Sequence, residues 1–195
     1  MGQYYVAANI SKREFLNPHR LRSGAKLVEM FYSDWFPRVL LAALALGDWT
    51  LPDHPFVGRW AGDQVILVGD YMTSDYVSRL ISEGRLSLPS WVLEGLVKEE
   101  QADEDPEYGS PSFYSFVKKH FKDISGEAIK FIYRVCPKEG LMLAMRFIAD
   151  CVRLETVSPQ QVFELLEDKE LVKALKQEMG RDYKKILSRI KRACR

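Results

Sequence analysis

The sequence predicts an α+β fold, with a small N-terminal β-sheet packed by helices and a mainly α-helical C-terminal region. Runs rich in aromatic and β-branched residues occur at residues 3–10 and 64–69, and such runs between turn signals are typical of strands. After residue 110 the apolar residues instead recur every three or four positions, behind serine and proline helix starts. This second pattern is typical of amphipathic helices.

The N-terminal half contains the predicted sheet. Its predicted elements are a strand over 3–10, a hairpin partner at Glu14–Leu16, a helix from Ala25, a buried helix over 35–46 that ends at Gly47, and a strand over 64–69. Pro18 places a loop after the hairpin, because proline cannot donate a hydrogen bond to a central strand. Four consecutive aliphatic residues, 65–68, predict that the last strand is central and covered on both faces.

Helices are predicted for most of the remaining chain. The predicted elements are a helix over 74–84 with Ser74 as its N-cap, a helix that starts near Pro89, an exposed acidic loop over 99–111, and helices that start near Ser110, Ser125, Lys138, Ser158, Asp168 and Arg181. The helix that begins near Lys138 is apolar on most sides. We therefore expect it to be central to the helical packing.

Length and composition indicate one globular domain, or one domain with a helical appendage. The chain has 195 residues, of which 47% are hydrophobic and 28% are charged, and this balance excludes a disordered chain. We predict an α+β domain over residues 1–136 and a helical extension over residues 137–195. The net charge of +1 gives no argument for a nucleic-acid or membrane partner from the molecule as a whole, although the charges are unevenly placed.

The cysteines and the apolar segments indicate a cellular compartment. Cys136, Cys151 and Cys194 form no CxxC or Cys/His pattern, so we predict buried thiols in a reducing compartment rather than a zinc site or disulfides. The N-terminus lacks the basic and apolar regions of a signal peptide. The longest apolar run, residues 39–46, is far shorter than the roughly 20 residues of a membrane span. We expect a cytoplasmic protein without a membrane contact.

Five segments of the chain resemble an uncharacterised family of prokaryotic and viral or plasmid-borne proteins. They are MGQYYVAAN at 1–9, EFLNPH at 14–19, GAKLVE at 24–29, GRWAGDQVILVGDY at 58–71 and FYSFVKKHFKDISGEAIKFI at 113–132. The resemblance covers residues 1–136 and has no counterpart for residues 137–195. It implies no activity, because none is established for that family. It marks the polar residues of the shared motifs as better site candidates than polar residues elsewhere.

A catalytic site centred on Asp70 is one hypothesis that the shared motifs support. Asp70 follows the carboxyl end of the predicted strand over 64–69, where open α/β sheets place ligand or metal carboxylates. The imidazole of His19 accepts or donates a proton near neutral pH. If the hairpin brings Glu14 and His19 beside Asp70, the three side chains form a general acid/base pair or a site for a divalent metal.

Turns and helix caps account for several polar residues of the shared motifs in purely structural terms. Asp63 follows Ala-Gly before a strand, as a tight turn requires. Asp70 is placed to accept backbone hydrogen bonds at the entry to the next helix, and His19 is placed to tie down a loop. The three histidines lie in separate segments, and no phosphate loop, nucleophile elbow or dinucleotide fingerprint occurs, so we predict no dedicated metal site and no cofactor.

The C-terminal segment carries a dense cluster of positive charge. Between residues 181 and 195 the basic residues are Arg181, Lys184, Lys185, Arg189, Lys191, Arg192 and Arg195, against a single acid, Asp182. On a helix the apolar residues of this segment form one stripe, made of Tyr183, Ile186, Leu187, Ile190 and Cys194. Such a helix docks by one face and presents cations on the other, as contacts with a phosphate backbone require.

The basic terminal helix is also consistent with two roles that involve no nucleic acid. Cations near the C-terminus of a helix complement its macrodipole without any further function. The second role is contact with a protein or with a lipid surface, although the apolar stripe has no Trp or Phe to anchor it in a membrane.

From these patterns we predict a binding protein without catalytic activity, from a mobile-element, viral or host-defence context. It contacts nucleic acid, or a partner bound to nucleic acid, through the basic terminal helix. The first alternative is a metal-dependent hydrolase or nuclease that uses Asp70 with His19 and Glu14. The second alternative is a protein–protein interaction or assembly module in which the acidic loop or the terminal helix docks a partner.

Overall fold

The computed structural model describes residues 3–46, 53–102, 112–153 and 157–193. Within these ranges the chain forms a four-stranded mixed sheet in its N-terminal part and is mostly helical beyond it, so the predicted α+β class is confirmed. None of the helices in these ranges combines the length and the apolarity needed to cross a membrane. Five predicted features lie outside the described residues: the helix end at Gly47, positions 103–111 of the acidic loop, the helix start near Ser110, Cys194 and Arg195.

The sheet has the strand order β3–β1–β2–β4. In chain order the strands are β1 (Tyr5–Asn9), β2 (Glu14–Leu16), β3 (Val65–Gly69) and β4 (Lys122–Asp123). β1 pairs antiparallel with β2 and with β3, whereas β2 pairs parallel with β4. The hairpin register sets Glu14 opposite Asn9, and Gly69 lies opposite Tyr5. Glu14 therefore lies at the Asn9 end of β1, and Asp70, which follows Gly69, lies at the Tyr5 end.

The position of β3 differs from the prediction, because β3 is an edge strand. Val68 is fully buried in one core cluster and Val65 packs against the other, so helices do cover parts of both faces. Leu67, however, is 37% exposed. A run of aliphatic residues indicates burial of the strand's faces and carries no information on whether both edges are paired.

The helices account for most of the described chain. They are α1 (Leu27–Phe31), α2 (Phe36–Leu44), α3 (Ser74–Ser82), α4 (Ser90–Ala102), α5 (Phe113–His120), α6 (Ser125–Val135), α7 (Pro137–Arg153), α8 (Pro159–Leu165), α9 (Lys169–Met179) and α10 (Arg181–Ala193), with a 3-10 helix at Pro18–Leu21. Ser158 caps α8 through the N–H of Gln161, and Asp168 caps α9. These helix starts lie where the sequence places them.

Two helix boundaries differ from the prediction. α3 is capped by Thr73, which accepts a hydrogen bond from the N–H of Tyr76 at 3.3 Å. Ser74 instead donates its N–H to Glu100 at 2.7 Å. The predicted acidic loop also begins too early, because Glu99 and Glu100 belong to α4. Each of these two acids makes a tertiary contact: Glu100 with Ser74, and Glu99 with Lys119 at 2.7 Å. A local sequence pattern does not reveal such contacts.

Two hydrophobic clusters pack on opposite faces of the sheet. One contains Val6 and Val68 with residues of α3, α4 and α5. The other begins at Ala7 and Leu16 and continues through α6 and α7 to Ile190 of α10. Its centre is α7, as the sequence predicts. The predicted boundary at residue 136 therefore separates two parts of the chain that share one core, and the division into two domains stays a prediction.

Candidate functional site

Glu14 lies at the hairpin end of β1, where three donors surround its carboxylate. Arg59 donates from Nε to Oε2 at 2.9 Å and from Nη2 to Oε1 at 2.6 Å. The indole of the fully buried Trp60 donates to Oε2 at 2.9 Å. Burial favours the neutral acid, but the hydrogen bonds from Arg59 and Trp60 and the charge of Arg59 outweigh it and hold the pKa of Glu14 below its usual value. The carboxylate is ionised and its oxygens are occupied.

Asp63 joins the same end of the sheet through a second set of hydrogen bonds. Asn9 Nδ2 donates to Asp63 Oδ2 at 2.8 Å, and Asn9 Oδ1 accepts from the N–H of Lys12 at 2.9 Å. Lys12 Nζ pairs with Asp63 at 3.0 Å and donates to the carbonyl oxygen of Arg59. The hydrogen bonds from Asn9 and Lys12 lower the pKa of Asp63. These contacts fasten the hairpin turn to the turn before β3, a structural task.

Asp70 lies at the opposite end of β1. Its N–H donates to the carbonyl of Tyr4 at 3.0 Å, and its Oδ1 accepts from the N–H of Tyr4 at 3.1 Å. The side chain thus completes the last pair of the β1–β3 ladder. Because each residue of a strand advances about 3.3 Å, the step from Tyr4 to Asn9 separates this end from Glu14 by roughly 17 Å. Glu14 therefore does not join Asp70 in one site.

His19 lies at the Asp70 end. Asn17 caps the 3-10 helix by accepting from the N–H of His19 at 3.2 Å, and the His19 ring is 6.1 Å from the ring of Tyr4, centre to centre. Burial and the charge of Asp70 raise the pKa of Tyr114, so that phenol belongs to the same neighbourhood. The structure thus gathers His19 and Asp70 around Tyr4, while their catalytic role stays a prediction. Among the described residues, no three His, Cys, Asp or Glu side chains are grouped to hold a metal ion.

The titration of His19 gives a direct test of this neighbourhood. Partial burial, followed by the charges of Lys118 and Arg20, lowers the pKa of His19. We expect its NMR titration midpoint below the usual value of about 6.5. We expect Lys118→Gln to raise this midpoint, because the variant lacks a positive charge that disfavours the protonated imidazole. His54 is the control, since the cations that lower its pKa are Arg134 and Lys130. A His19 midpoint that falls or stays unchanged in Lys118→Gln would contradict this placement.

The fifth shared segment contributes a buried polar contact rather than an open site. Ser125 Oγ donates to Asp123 Oδ1 at 2.6 Å and accepts from the N–H of Asn17 at 3.0 Å. Arg20 approaches Asp123 at 4.0 Å and Asp150 at 3.7 Å. Burial raises the pKa of Asp123, although Ser125 and Arg20 act against it. This contact ties the 3-10 helix to β4 and α6.

α10 presents a cationic outer face. Its apolar residues Tyr183, Ile186, Leu187 and Ile190 pack into the core formed with the preceding helices. The basic residues that the structure describes on α10 are all exposed: Arg181, Lys184, Lys185, Arg189, Lys191 and Arg192. Of these six, Lys185 alone has an ion pair with a described acid, Asp182 at 3.6 Å. Their role as nucleic-acid contacts stays a prediction.

The macrodipole does not account for the charge of α10. Lys191 and Arg192 lie in its last turn, where cations are favourable. Arg181 is its first residue, where a cation opposes the dipole, and Lys184 and Lys185 lie in the next turn, far from the last turn where the dipole favours a cation. Lys185 and Arg189 also form a like-charge pair four positions apart, which destabilises a helix.

A stripe of lysines on α9 was not predicted from the sequence. Lys169, Lys173 and Lys176 are separated by four and three positions, so they lie on one face of α9. All three are exposed. Their spacing is visible in the sequence. The neighbouring acids Glu170 and Glu178 lower the net charge of the segment, so a count of charges along the chain does not indicate the stripe.

α1 and α2 present an apolar surface that was not predicted either. The most exposed large side chains on these two helices and the turn between them are Val28, Phe31, Tyr32 and Leu41, which are 65–87% exposed. Leu27, Leu40 and Leu67 line a shallow groove beside Phe31. In the described part of the chain no element covers this surface, and no feature there identifies a partner. The assembly-module hypothesis therefore stays a prediction.

Comparison of the chain with protein families, with curated proteins and with solved structures finds no match in any of the three. The resemblance of the shared motifs to an uncharacterised family stays a prediction, and the assignment of a function rests on the geometry of this chain.

Proposed function

We propose that this protein binds nucleic acid through the phosphate backbone and that the outer face of α10 makes the contact. The observation that carries the proposal is the arrangement of charge on α10, a helix whose apolar face is docked in the core and whose opposite face is cationic. Phosphate contacts by Lys and Arg supply most of the affinity of sequence-independent nucleic-acid binding.

The uneven distribution of charge supports the proposal. Residues 169–192 contain nine Lys and Arg and three Asp and Glu, although the whole chain contains 28 and 27. Like charges at this density repel one another and weaken the helices that carry them. A polyanionic ligand relieves this repulsion, so a surface of this kind is more stable when bound.

The dimensions of α10 suit a contact with several phosphates. From Arg181 to Arg192 the helix extends about 17 Å at 1.5 Å per residue. Duplex DNA carries one charge per roughly 1.7 Å of its axis. The cationic face of α10 is therefore long enough to meet a series of phosphates along a groove or across one.

The test is a binding titration of a triple variant, Lys185→Gln/Arg189→Gln/Arg192→Gln. We measure fluorescence anisotropy with labelled DNA and RNA between about 50 and 200 mM salt. The parent protein is expected to bind more weakly as salt rises. The variant is expected to lose affinity by about tenfold or more, and the slope of log K against log salt is expected to become shallower by about 2.7, or roughly 0.9 for each lost contact.

The matched control removes three exposed cations elsewhere, in Arg79→Gln/Lys98→Gln/Lys138→Gln, and is expected to leave the affinity unchanged. Two results would overturn the proposal. One is no binding of the parent protein to DNA or RNA of any form at the lowest salt. The other is an equal loss of affinity in the control. Vesicles with anionic headgroups form a further arm, and binding to them in preference to nucleic acid would also contradict the proposal.

A further inference from the structure

We infer that α9 and α10 together bind double-helical nucleic acid without reading its bases. This inference rests on the function proposed for α10. It adds a second binding element, the lysine stripe of α9 (Lys169, Lys173 and Lys176), and it selects one class of ligand.

Within the described part of the chain, the structural contact of the lysine stripe is that of Lys176 with the Tyr183 ring. None of its three ammonium groups forms an ion pair with a described acid. Lys169 is the first residue of α9, where a cation opposes the helix dipole, and it stands four positions from a like charge. The helix dipole therefore does not account for Lys169, whereas Lys176 lies in the last turn of α9, where a cation is favourable.

The lysine stripe meets α10 at Tyr183. Lys176 Nζ lies 5.9 Å from the centre of the Tyr183 ring, and Tyr183 directly precedes Lys184 on α10. The three lysines border a groove whose floor is formed by Leu166 and Val172. Leu166 also packs beside Tyr183 and Leu187 of α10. A ligand that lies along the stripe is thus brought next to α10 at Tyr183, where Asp182 and Lys184 on either side are both exposed.

The acids of α9 lie away from the stripe. With 100° between successive residues of a helix, Lys173 and Lys176 fall within about 40° of Lys169. Glu170 and Glu178 fall roughly 100° and 180° away from Lys169. The two acids of α9 therefore do not interrupt the stripe.

The surface offers charge and no platform for bases. Tyr183 is the one aromatic residue in α9 and α10, and it is 8% exposed because its ring packs into the core. Proteins that bind single strands combine cations with exposed aromatic rings on which bases stack. Cations held on two helices and without such rings match the regular phosphates of a duplex. The ligand class that fits is double-helical nucleic acid of any sequence.

The experiment compares Lys169→Gln/Lys173→Gln/Lys176→Gln with the parent protein on a duplex and on a single strand of equal length. The parent is expected to prefer the duplex and to bind duplexes of different sequence with equal affinity. The lysine variant is expected to lose about tenfold in duplex affinity and to lower the salt slope by about 2.7. The variant Glu170→Gln/Glu178→Gln is the control on the same helix, and it is expected to keep or raise the affinity.

The outcomes separate this inference from the proposed function. If the lysine variant binds as the parent does while the α10 variant loses affinity, the role of α9 is overturned and the function of α10 stands. A preference of the parent for single strands overturns the choice of ligand. If the acidic control loses as much affinity as the lysine variant, the effect belongs to a damaged helix and the inference fails. No binding by the parent overturns both.

Discussion

Replacing Glu14 with alanine is expected to lower the free energy of unfolding by about 3 kcal/mol, because the change leaves buried donors without an acceptor. The Glu14 side chain is 10% exposed, and its carboxylate accepts from Arg59 and Trp60. Without it the indole N–H of the fully buried Trp60 has no partner in the described part of the chain. The Arg59 side chain is 27% exposed, so water can solvate its guanidinium once the carboxylate is gone. The expected loss of stability is therefore near the lower end of the range for a broken buried ion pair.

The loss in the Glu14→Ala variant is expected to depend on pH. The pKa of Glu14 is lowered in the folded protein, so its stabilising contribution is fully present above the pKa of the unfolded chain, about 4.3. That contribution disappears as pH falls through the folded pKa. We expect urea denaturation at pH 7 and at progressively lower pH to show that the difference in free energy of unfolding between the parent and the Glu14→Ala variant shrinks in acid.

Two controls separate the buried pair from a surface charge effect. Glu83→Gln removes an acid from the exposed pairs with Arg79 and Arg85 and is expected to change stability by less than about 0.5 kcal/mol. A double-mutant cycle of Glu14→Gln and Arg59→Met is expected to show coupling of more than about 1 kcal/mol. A loss below about 1 kcal/mol for Glu14→Ala, or no coupling in the cycle, would contradict the structural role assigned to Glu14.

The second large effect is expected at Gly140, where α7 passes against α6. A Cβ atom added at Gly140 would lie 2.6 Å from the Cβ of Tyr133 and closer still to the backbone nitrogen and Cα of that residue. The obstacle is backbone, so no side-chain rotation relieves the clash and the two helices must separate. Because α6 and α7 form the centre of the larger core cluster, Gly140→Ala is expected to cost about 3 kcal/mol.

Gly126→Ala on α6 is the matched control. Its added Cβ would make ordinary contacts, at 3.8 Å from Phe147 and 3.9 Å from the carbonyl of Gln161. Alanine is also favoured over glycine in a helix by roughly 0.5–1 kcal/mol. We expect Gly126→Ala to be neutral or stabilising in thermal and urea denaturation. If both alanine variants had the same stability, the close approach of α6 and α7 at Gly140 would be wrong.

The polar residues of the shared motifs differ in how far the sequence could predict their roles. Asp63 does have a structural task beside a turn, but its side chain bonds the distant residues Asn9 and Lys12 rather than its own turn. The task of Glu14 was not predictable in the same way. Its partners Arg59 and Trp60 lie 45 and 46 positions further along the chain, and no local pattern indicates that they meet.

The basic surface shows the same division. The apolar and cationic faces of α10 were predicted, since the 3.6-residue period fixes which side chains share a face. The lysine stripe of α9 is visible in the sequence spacing, but the spacing alone does not indicate a binding surface. Its link to α10 depends on Lys176 and Tyr183, two residues brought together by the packing of the two helices on the core.

By itself, the sequence determined the α+β class, most helix starts and the two faces of α10, because caps, turns and periodicity act over a few residues. Only the tertiary structure decided that β3 is an edge strand, that Glu14 and Asp70 lie at opposite ends of β1, and that two basic helices adjoin. Strand order and helix packing depend on the apolar area buried between distant segments, and the sequence of one segment does not indicate which other segments it contacts. For the stretch GRWAGDQVILVGDY, the two aspartates therefore close opposite ends of the same strand pairing.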